Sequence, residues 1–503
     1  MSVPRAETAA APPKSGLARE MGLLGLVATG VCSMIGAGIN VIPFMIQRHA
    51  PGIGPNVLPA FAFAALPAVL AGLAYAVMAS AMPRAGGSYV YASRGLDPYL
   101  GFVASFSQWF SLCVAIGVVS YLIAPFLRDI ALAAGARGAG AALETGAVRV
   151  AVSLAFLWAA ALVNVRGVKA YERLIVPLMF LTFLLGAVVI VAGFSFGHAD
   201  FAAALSARDG RAVAAAAAPP LSPSVLLPAS ALLFASFIGF DSIAQAGGES
   251  RNPGRNLPLA IGIAVVSVGV FYMLFTGAVY HAVPWQFIAA EARRRDVTAP
   301  GVLGYLLPPA WTVVIVAGAA VALIKDLPAM LLGVSRLMFA WAEDGIFPRR
   351  IAAVHPRFHT PHAAILASAL MATLGVVGSH LAGDFFLGVD ILVTSMLVNF
   401  LLVALSVLTL PARNPALARA VTVLPSRRAQ APLAALAVAV LAVFLAVHTW
   451  RDLTAPVAAW YFRSTPLWLL VMAAGSLVYG RETRQLRRQG VDVAARFAAL
   501  PPG

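Results

Sequence analysis

Four ionisable side chains fall inside apolar runs of this 503-residue chain: Asp241, Lys325, Asp326 and Asp390. A charge deep in a bilayer costs at least about 2.5 kcal/mol, so each marks an ion or substrate path before it marks packing. Asp241 directly follows a glycine interruption, Ile238-Gly239-Phe240. A carboxylate there is placed to carry a coupling proton, to attract an ammonium group, or to cap a helix that restarts, because Asp accepts from unpaired N–H groups. Lys325 and Asp326 are adjacent, about 100° apart around a helix, and so do not neutralise one another face to face. Lys325 is a fixed cation, a proton carrier, or a static partner of Asp241 or of a carbonyl cage. Asp326 is directed at another helix or at a water-filled path. Asp390 suits an outer gate and a solvated cap equally well.

The elements that must position these groups are interrupted apolar stretches. The first contains Gly36-Ala37-Gly38-Ile39-Asn40, followed by Pro43. The second contains Ile238-Gly239-Phe240-Asp241, roughly 200 residues later, as expected when an inverted repeat is built around two broken helices. Unsatisfied amides in hydrocarbon are costly, so the breaks line a cavity or bind a solute. A half-helix N-terminus offers N–H donors to a carboxylate, whereas unwound carbonyls and half-helix C-termini suit a cation. Asn40 and Pro43 favour local unwinding at Gly36 and Gly38.

Composition excludes a soluble domain, with 61% hydrophobic and 11% charged residues and a mean hydropathy of +0.87. Spans of about 20 residues are expected near 20–47, 57–81, 100–127, 148–165, 174–195, 224–248, 257–282, 311–342, 362–380, 385–410, 431–449 and 465–480. The chain is therefore all-α and polytopic, with about twelve transmembrane helices in contact with the lipid bilayer. The net charge of +15 is dispersed in short loops, which excludes a nucleic-acid face and sets topology instead. Placing both termini in the cytoplasm gathers Arg84, Arg94, Arg166, Arg173, Arg255, Arg349 and Arg427 on that side, with roughly half as many basic residues opposite. Abundant Ala and Arg, with lysines only at Lys14, Lys169 and Lys325, point to a GC-rich bacterial genome and hence the inner membrane.

No cleaved signal peptide is expected, because the Pro- and Ala-rich start lacks a short apolar core. One transporter domain at 20–480 is expected between cytoplasmic tails at 1–19 and 481–503, with repeat one at about 20–195, repeat two at about 224–410, and two further spans at about 431–480. Loops at 196–223 and 283–310 are external connectors. The segment from Pro83 to Phe102 is too polar to span and packs beneath the bundle. Gly86-Gly87 lacks a preceding strand and a following Gly-Lys-Ser/Thr, so no nucleotide site is expected. His355, His359 and His362 are interrupted by Pro356 and Pro361, so neither metal nor cofactor is expected. Arg336, Glu343 and Asp344 lie at the cytoplasmic end of span eight, where ordinary surface pairing is favoured over an inner gate.

Four motifs occur in order: Met34-Ile35-Gly36-Ala37-Gly38-Ile39 with Ile42-Pro43; Pro83-Arg84-Ala85-Gly86-Gly87-Ser88-Tyr89; Phe237-Ile238-Gly239-Phe240-Asp241 followed by Glu249, Asn252-Pro253 and Arg255; and Ser335-Arg336 with Glu343-Asp344-Gly345 and Pro348. Together they resemble the amino acid, polyamine and organocation (APC) permease superfamily, from about residue 20 to about 480. The resemblance implies a leucine-transporter-type fold, a five-plus-five inverted repeat whose first and sixth spans are broken. It implies that a substrate carboxylate meets amides at the first break while its ammonium meets carbonyls at both. Carried onto this chain, Met34, Ile35, Gly36, Ala37, Gly38 and Ile39 form one wall, and Phe237, Ile238, Gly239, Phe240 and Asp241 the other. An aromatic at the place of Phe240 shields the substrate in similar permeases, and packing is the equal alternative. In sodium-coupled relatives the region around Lys325 supplies hydroxyl ligands to the ion, so an ammonium group there makes sodium coupling unexpected.

Span three supplies Gln108 and Ser111 as candidates for specificity and contains no acid. A neutral amino acid is thus favoured, while Asp241 and Asp326 keep a cationic cargo open. The expected function is secondary active, proton-coupled symport of a neutral amino acid by alternating access, with Asp241, Lys325 and Asp326 as coupling candidates. An amino acid exchanger and an amine or polyamine transporter are the alternatives, and a nontransporting sensor or channel is more distant. No catalytic set appears at usable spacing, so the chain is not read as an enzyme.

Overall fold

Long runs of Ala, Leu and Val leave the helix as the way to satisfy backbone groups in lipid, and helices dominate the chain. A computed structural model describes residues 16–382, 385–457 and 459–501. Residues 1–15 of the expected N-terminal tail and 502–503 of the C-terminal tail lie outside the described residues. In chain order, α1 (Leu23–Met34), α2 (Ala37–Asn40) and α3 (Ile42–His49) form the first, broken span. Next come α4 (Val57–Ala81), α5 (Gly87–Gly95), α6 (Pro98–Ala133), α7 (Gly146–Val165) and α8 (Val168–Ser195). The second broken span is α9 (Pro223–Leu233) and α10 (Asp241–Gln245), joined by a 3-10 turn at Phe234–Phe237. Then follow α11 (Pro253–Ala282), α12 (Pro309–Asp344), α13 (His362–Ala382), α14 (Phe385–Arg413), α15 (Arg427–Thr454), α16 (Ser464–Arg488) and α17 (Val493–Ala498).

Nine helices among the described residues are long and apolar enough to cross a membrane. The expected twelve differ from that number for physical reasons. The two broken spans are divided into short pieces, and α16 ends in Arg481, Arg484, Arg487 and Arg488, which dilutes its apolar character. The connectors at 196–223 and 283–310 contain helices of their own, His198–Asp209 and Trp285–Ala292.

Helix α12 packs along α6, and α11 along α4, while α1 lies between α11, α8 and α12. The chain entering α1 meets the chain leaving α10 through a bridge between Met21 and Ser250, and Ala85 bridges Ala246 just beyond α4. The C-terminal segment returns to this same face, where Arg84 and Arg94 donate to the carbonyls of Pro501 and Ala499. Helix α5 is buried along its whole length, so that part of the Pro83–Phe102 segment packs beneath the bundle as expected, whereas Pro98–Phe102 already belong to α6.

Candidate functional site

Helix α1 stops at Met34, which leaves its last carbonyls without helical partners. The fully buried Lys325 of α12 meets that deficit, with Nζ donating to the carbonyls of Cys32 at 3.2 Å and Ile35 at 2.5 Å. The Tyr272 hydroxyl of α11 donates to the Met34 carbonyl. The carbonyl of Ser33 abuts Gly239, where a Cβ would stand 2.4 Å from the oxygen; Gly239 also has φ +138°, so only glycine fits there. Of the roles open to Lys325 in the sequence, the carbonyl cage describes its hydrogen bonds. A further contact joins the two broken spans, Ser33 Oγ to Ser242 Oγ at 3.2 Å.

Asp326 points elsewhere on α12. Its carboxylate rests on Gly36, where a Cβ would lie 2.0 Å from Oδ2, and its Oδ1 has no hydrogen-bond partner. It lines a cavity of about 60 Å³ together with Ser33, Met34, Gly38, Ile238 and Met330. Leu112 and Ala115 of α6 close another side. A larger groove of about 900 Å³ lies away from the breaks, between α4 and α11, and its apolar walls suit lipid.

The residues of the two expected walls therefore separate. Met34, Gly38 and Ile238 face the cavity, Gly36 carries the Asp326 carboxylate, and Ala37 opens the turn of α2. Ile35 and Ile39 face a second, smaller space beside Phe271 and Phe275. Phe237 packs on Phe61 and Tyr272. Phe240 stacks on Phe400 at 5.1 Å and meets the edge of Tyr75. Asp241 is buried in a polar network instead of lining the cavity. Its Oδ1 accepts from the Gly239 amide at 3.1 Å and its Oδ2 from Gln108 Nε2. Gln108 Oε1 in turn accepts from Ser88 at 2.6 Å, Asn399 at 2.8 Å and Gln245 at 3.2 Å. Ser111 donates to its own helix at the Gln108 carbonyl.

Toward the face that carries Met21 and Pro501, two buried ion pairs close the bundle. Arg336 meets Glu249 through two hydrogen bonds of 2.7 and 2.9 Å, with side chains 1% and 0% exposed. Arg94 of α5 grips Asp344 at 2.6 and 2.9 Å, and Tyr89 donates to the same carboxylate at 2.6 Å. This corrects the expectation of surface pairing at the end of α12. The chain leaving α10 and the whole of α5 cover these charges, a coverage that local composition does not reveal. Phe497 of α17 lies against the Arg94 guanidinium, 5.0 Å from ring centre to Cζ. At the opposite end, Asp390 pairs with Arg451. His355 Nδ1 accepts from the Arg357 amide at 3.2 Å and so caps its own loop.

Sequence reasoning passes over Tyr272, Asn399, Gln245 and Ser242. Asn399 and Gln245 carry a signal that finds them, since an amide inside an apolar span needs partners. Tyr272 and Ser242 carry none.

Two broken helices that face a shared cavity, within a bundle of membrane-length helices, fit a polytopic helical transporter. The family model of amino acid permeases matches residues 21–474, and the chain belongs to that family. It is 30% identical to an uncharacterized transporter of Mycobacterium tuberculosis, over 72% of this chain and 76% of that protein. It is 26% identical to the methylthioribose transporter of Bacillus subtilis over 81% and 85% of the two chains. It is likewise 26% identical to a branched-chain amino acid permease of Bacillus subtilis over 82% and 85%. A multi-pass membrane protein for small-molecule transport of the amino acid class follows.

Proposed function

We propose that the protein is a proton-coupled symporter of a neutral amino acid, working by alternating access across a bacterial inner membrane with both termini in the cytoplasm. In this reading the repeats span about 20–195 and 224–410, and the cavity between the breaks is the transport site. The observation that carries the proposal is the Lys325 ammonium seated on the carbonyls of Cys32 and Ile35. It fills with a fixed charge a place where unwound carbonyls would otherwise attract a cation, which favours the proton over sodium as the coupled ion.

Asp241 is the seat of that proton. Both of its oxygens accept hydrogen bonds, as an ionised carboxylate does. A proton on Oδ2 sets a donor against the Gln108 amide, which three donors on Oε1 hold from flipping. The mismatch reaches α5 through Ser88, and α5 carries the Arg94 gate. Alternating access follows when α5 and α10 shift together. Uptake of each amino acid into proteoliposomes, with and without an inward proton gradient, tests the proposal. Counterflow without a gradient, and no net uptake with one, would instead make the protein an exchanger.

A further inference from the structure

The cavity holds one charge that the transport reading leaves unused. Asp326 is 5% exposed and its Oδ1 accepts no hydrogen bond, an arrangement that is strongly unfavourable for an ionised carboxylate until a cation arrives. Its neighbour Lys325 is committed to the carbonyls of Cys32 and Ile35. The Met34 carbonyl is held by Tyr272, and that of Ser33 is pressed against Gly239. At the end of α1 the carbonyls of Cys32, Met34 and Ile35 each already accept a hydrogen bond in this conformation, and that of Ser33 faces the backbone at Gly239. A metal ion is poorly served as well. Among the described residues no three His, Cys, Asp or Glu side chains gather in one place, and the lining beside Asp326 is mostly apolar, including Leu112, Ala115, Val119 and Met330.

We propose that Asp326 is the ammonium receptor of the transport site, pairing with the primary ammonium of the cargo while the cargo's apolar body fills the space between α6 and the second break. This rests on the cavity being the transport site, and it relocates the ammonium from the break carbonyls that the family resemblance implies. A primary ammonium fits because it is compact and brings three donors. The volume of about 60 Å³ has room for only a few waters, at a minimum of roughly 10–15 Å³ each, so the walls widen to admit a larger cargo.

The test is thermal unfolding of the full chain in lipid nanodiscs with two matched sets of probes: L-alanine, ethylamine and propionate, and L-leucine, isopentylamine and 4-methylpentanoate. In the wild type the amino acid and amine of at least one set raise Tm, and the matched acid does not. Asp326→Asn weakens binding of both protecting probes by roughly 10- to 100-fold, the range of a hydrogen bond to a charged group. The unliganded variant melts at or above wild type, because an unpaired buried anion has been removed. Should Asp326→Asn fail to fold, the wild-type contrast between amine and acid still decides. Protection by an acid equal to that by its amine, no protection by either amine, or undiminished affinity in Asp326→Asn overturns the proposal. Undiminished affinity combined with lost pH dependence of uptake makes Asp326 a proton seat and overturns it too. If Asp326→Asn transports an amino acid as wild type does, this inference falls and the transport reading stands. If wild type transports none of the twenty amino acids, the transport reading itself falls.

Discussion

Lys325 and Ile35 lie 290 residues apart in sequence, yet Nζ of the first is 2.5 Å from the carbonyl oxygen of the second. One side chain of α12 thus closes the C-terminal end of α1 at the first break. Removing the ammonium leaves two buried carbonyls unpaired, at a cost of about 1–3 kcal/mol each. Lys325→Ala is expected to lower Tm by several degrees and to abolish uptake. Thermal unfolding and proteoliposome uptake check this, and an unchanged Tm with retained uptake would contradict it.

Gly36 supports the Asp326 carboxylate at a distance that admits no Cβ. Gly36→Ala is expected to cut uptake by at least about tenfold, which corresponds to 1.4 kcal/mol. Asp326→Ala removes the colliding atoms, so the double variant should show no loss in Tm beyond that of Asp326→Ala alone. Strictly additive losses in a double-mutant cycle would show that the two residues do not meet.

The Arg336–Glu249 pair is buried, so breaking it from one side leaves an uncompensated charge, worth about 3–5 kcal/mol. Arg336→Met and Glu249→Met should each destabilise the protein strongly. The double substitution should recover most of that stability while still impairing uptake, since the gate no longer has a charge pair to break and remake. Equal stability of single and double variants, read by thermal unfolding, would refute the assignment.

Outside the membrane-spanning helices, Glu291 supplies a pH dependence with a defined sign. Burial pushes its carboxyl up, but hydrogen bonds from Arg211 at 2.6 Å and Arg295 at 2.9 Å outweigh burial and hold it below the ordinary glutamate range. The unfolded chain then takes up the proton more readily than the folded one. Glu291 contributes stability that is full above about pH 4.3 and is lost as pH falls through the lower, folded value. Glu291→Gln is expected to lower Tm near neutrality and to flatten its decline in acid. Parallel acid declines for variant and wild type would count against this.

The breaks are legible in the sequence because glycine, asparagine and proline interrupting an apolar run have few other meanings. Lys325 and Asp326 stand out for a similar reason, as charges in hydrocarbon. Their partners do not. Whether Lys325 meets Asp241 or carbonyls depends on the rotation of α12 against α1, and nothing local to Lys325 fixes that rotation. The Asp241–Gln108 contact joins residues 133 apart, and the sequence marks Gln108 for specificity only because it is polar. The burial of Asp344 comes with Arg94 and Tyr89 of α5, a helix that does not span but folds under the bundle. Local composition thus identifies the unusual residues, and long-range packing decides what each one touches.

In the proposed function the cavity between the breaks moves an amino acid together with a proton. Uptake of labelled amino acids into proteoliposomes, acid outside and without sodium, tests it most directly. Proton-coupled symport gives accumulation above equilibrium for at least one neutral amino acid, collapse on adding a protonophore, and loss of the gradient dependence in Asp241→Asn. Accumulation that requires sodium, or that survives both the protonophore and Asp241→Asn, would contradict it.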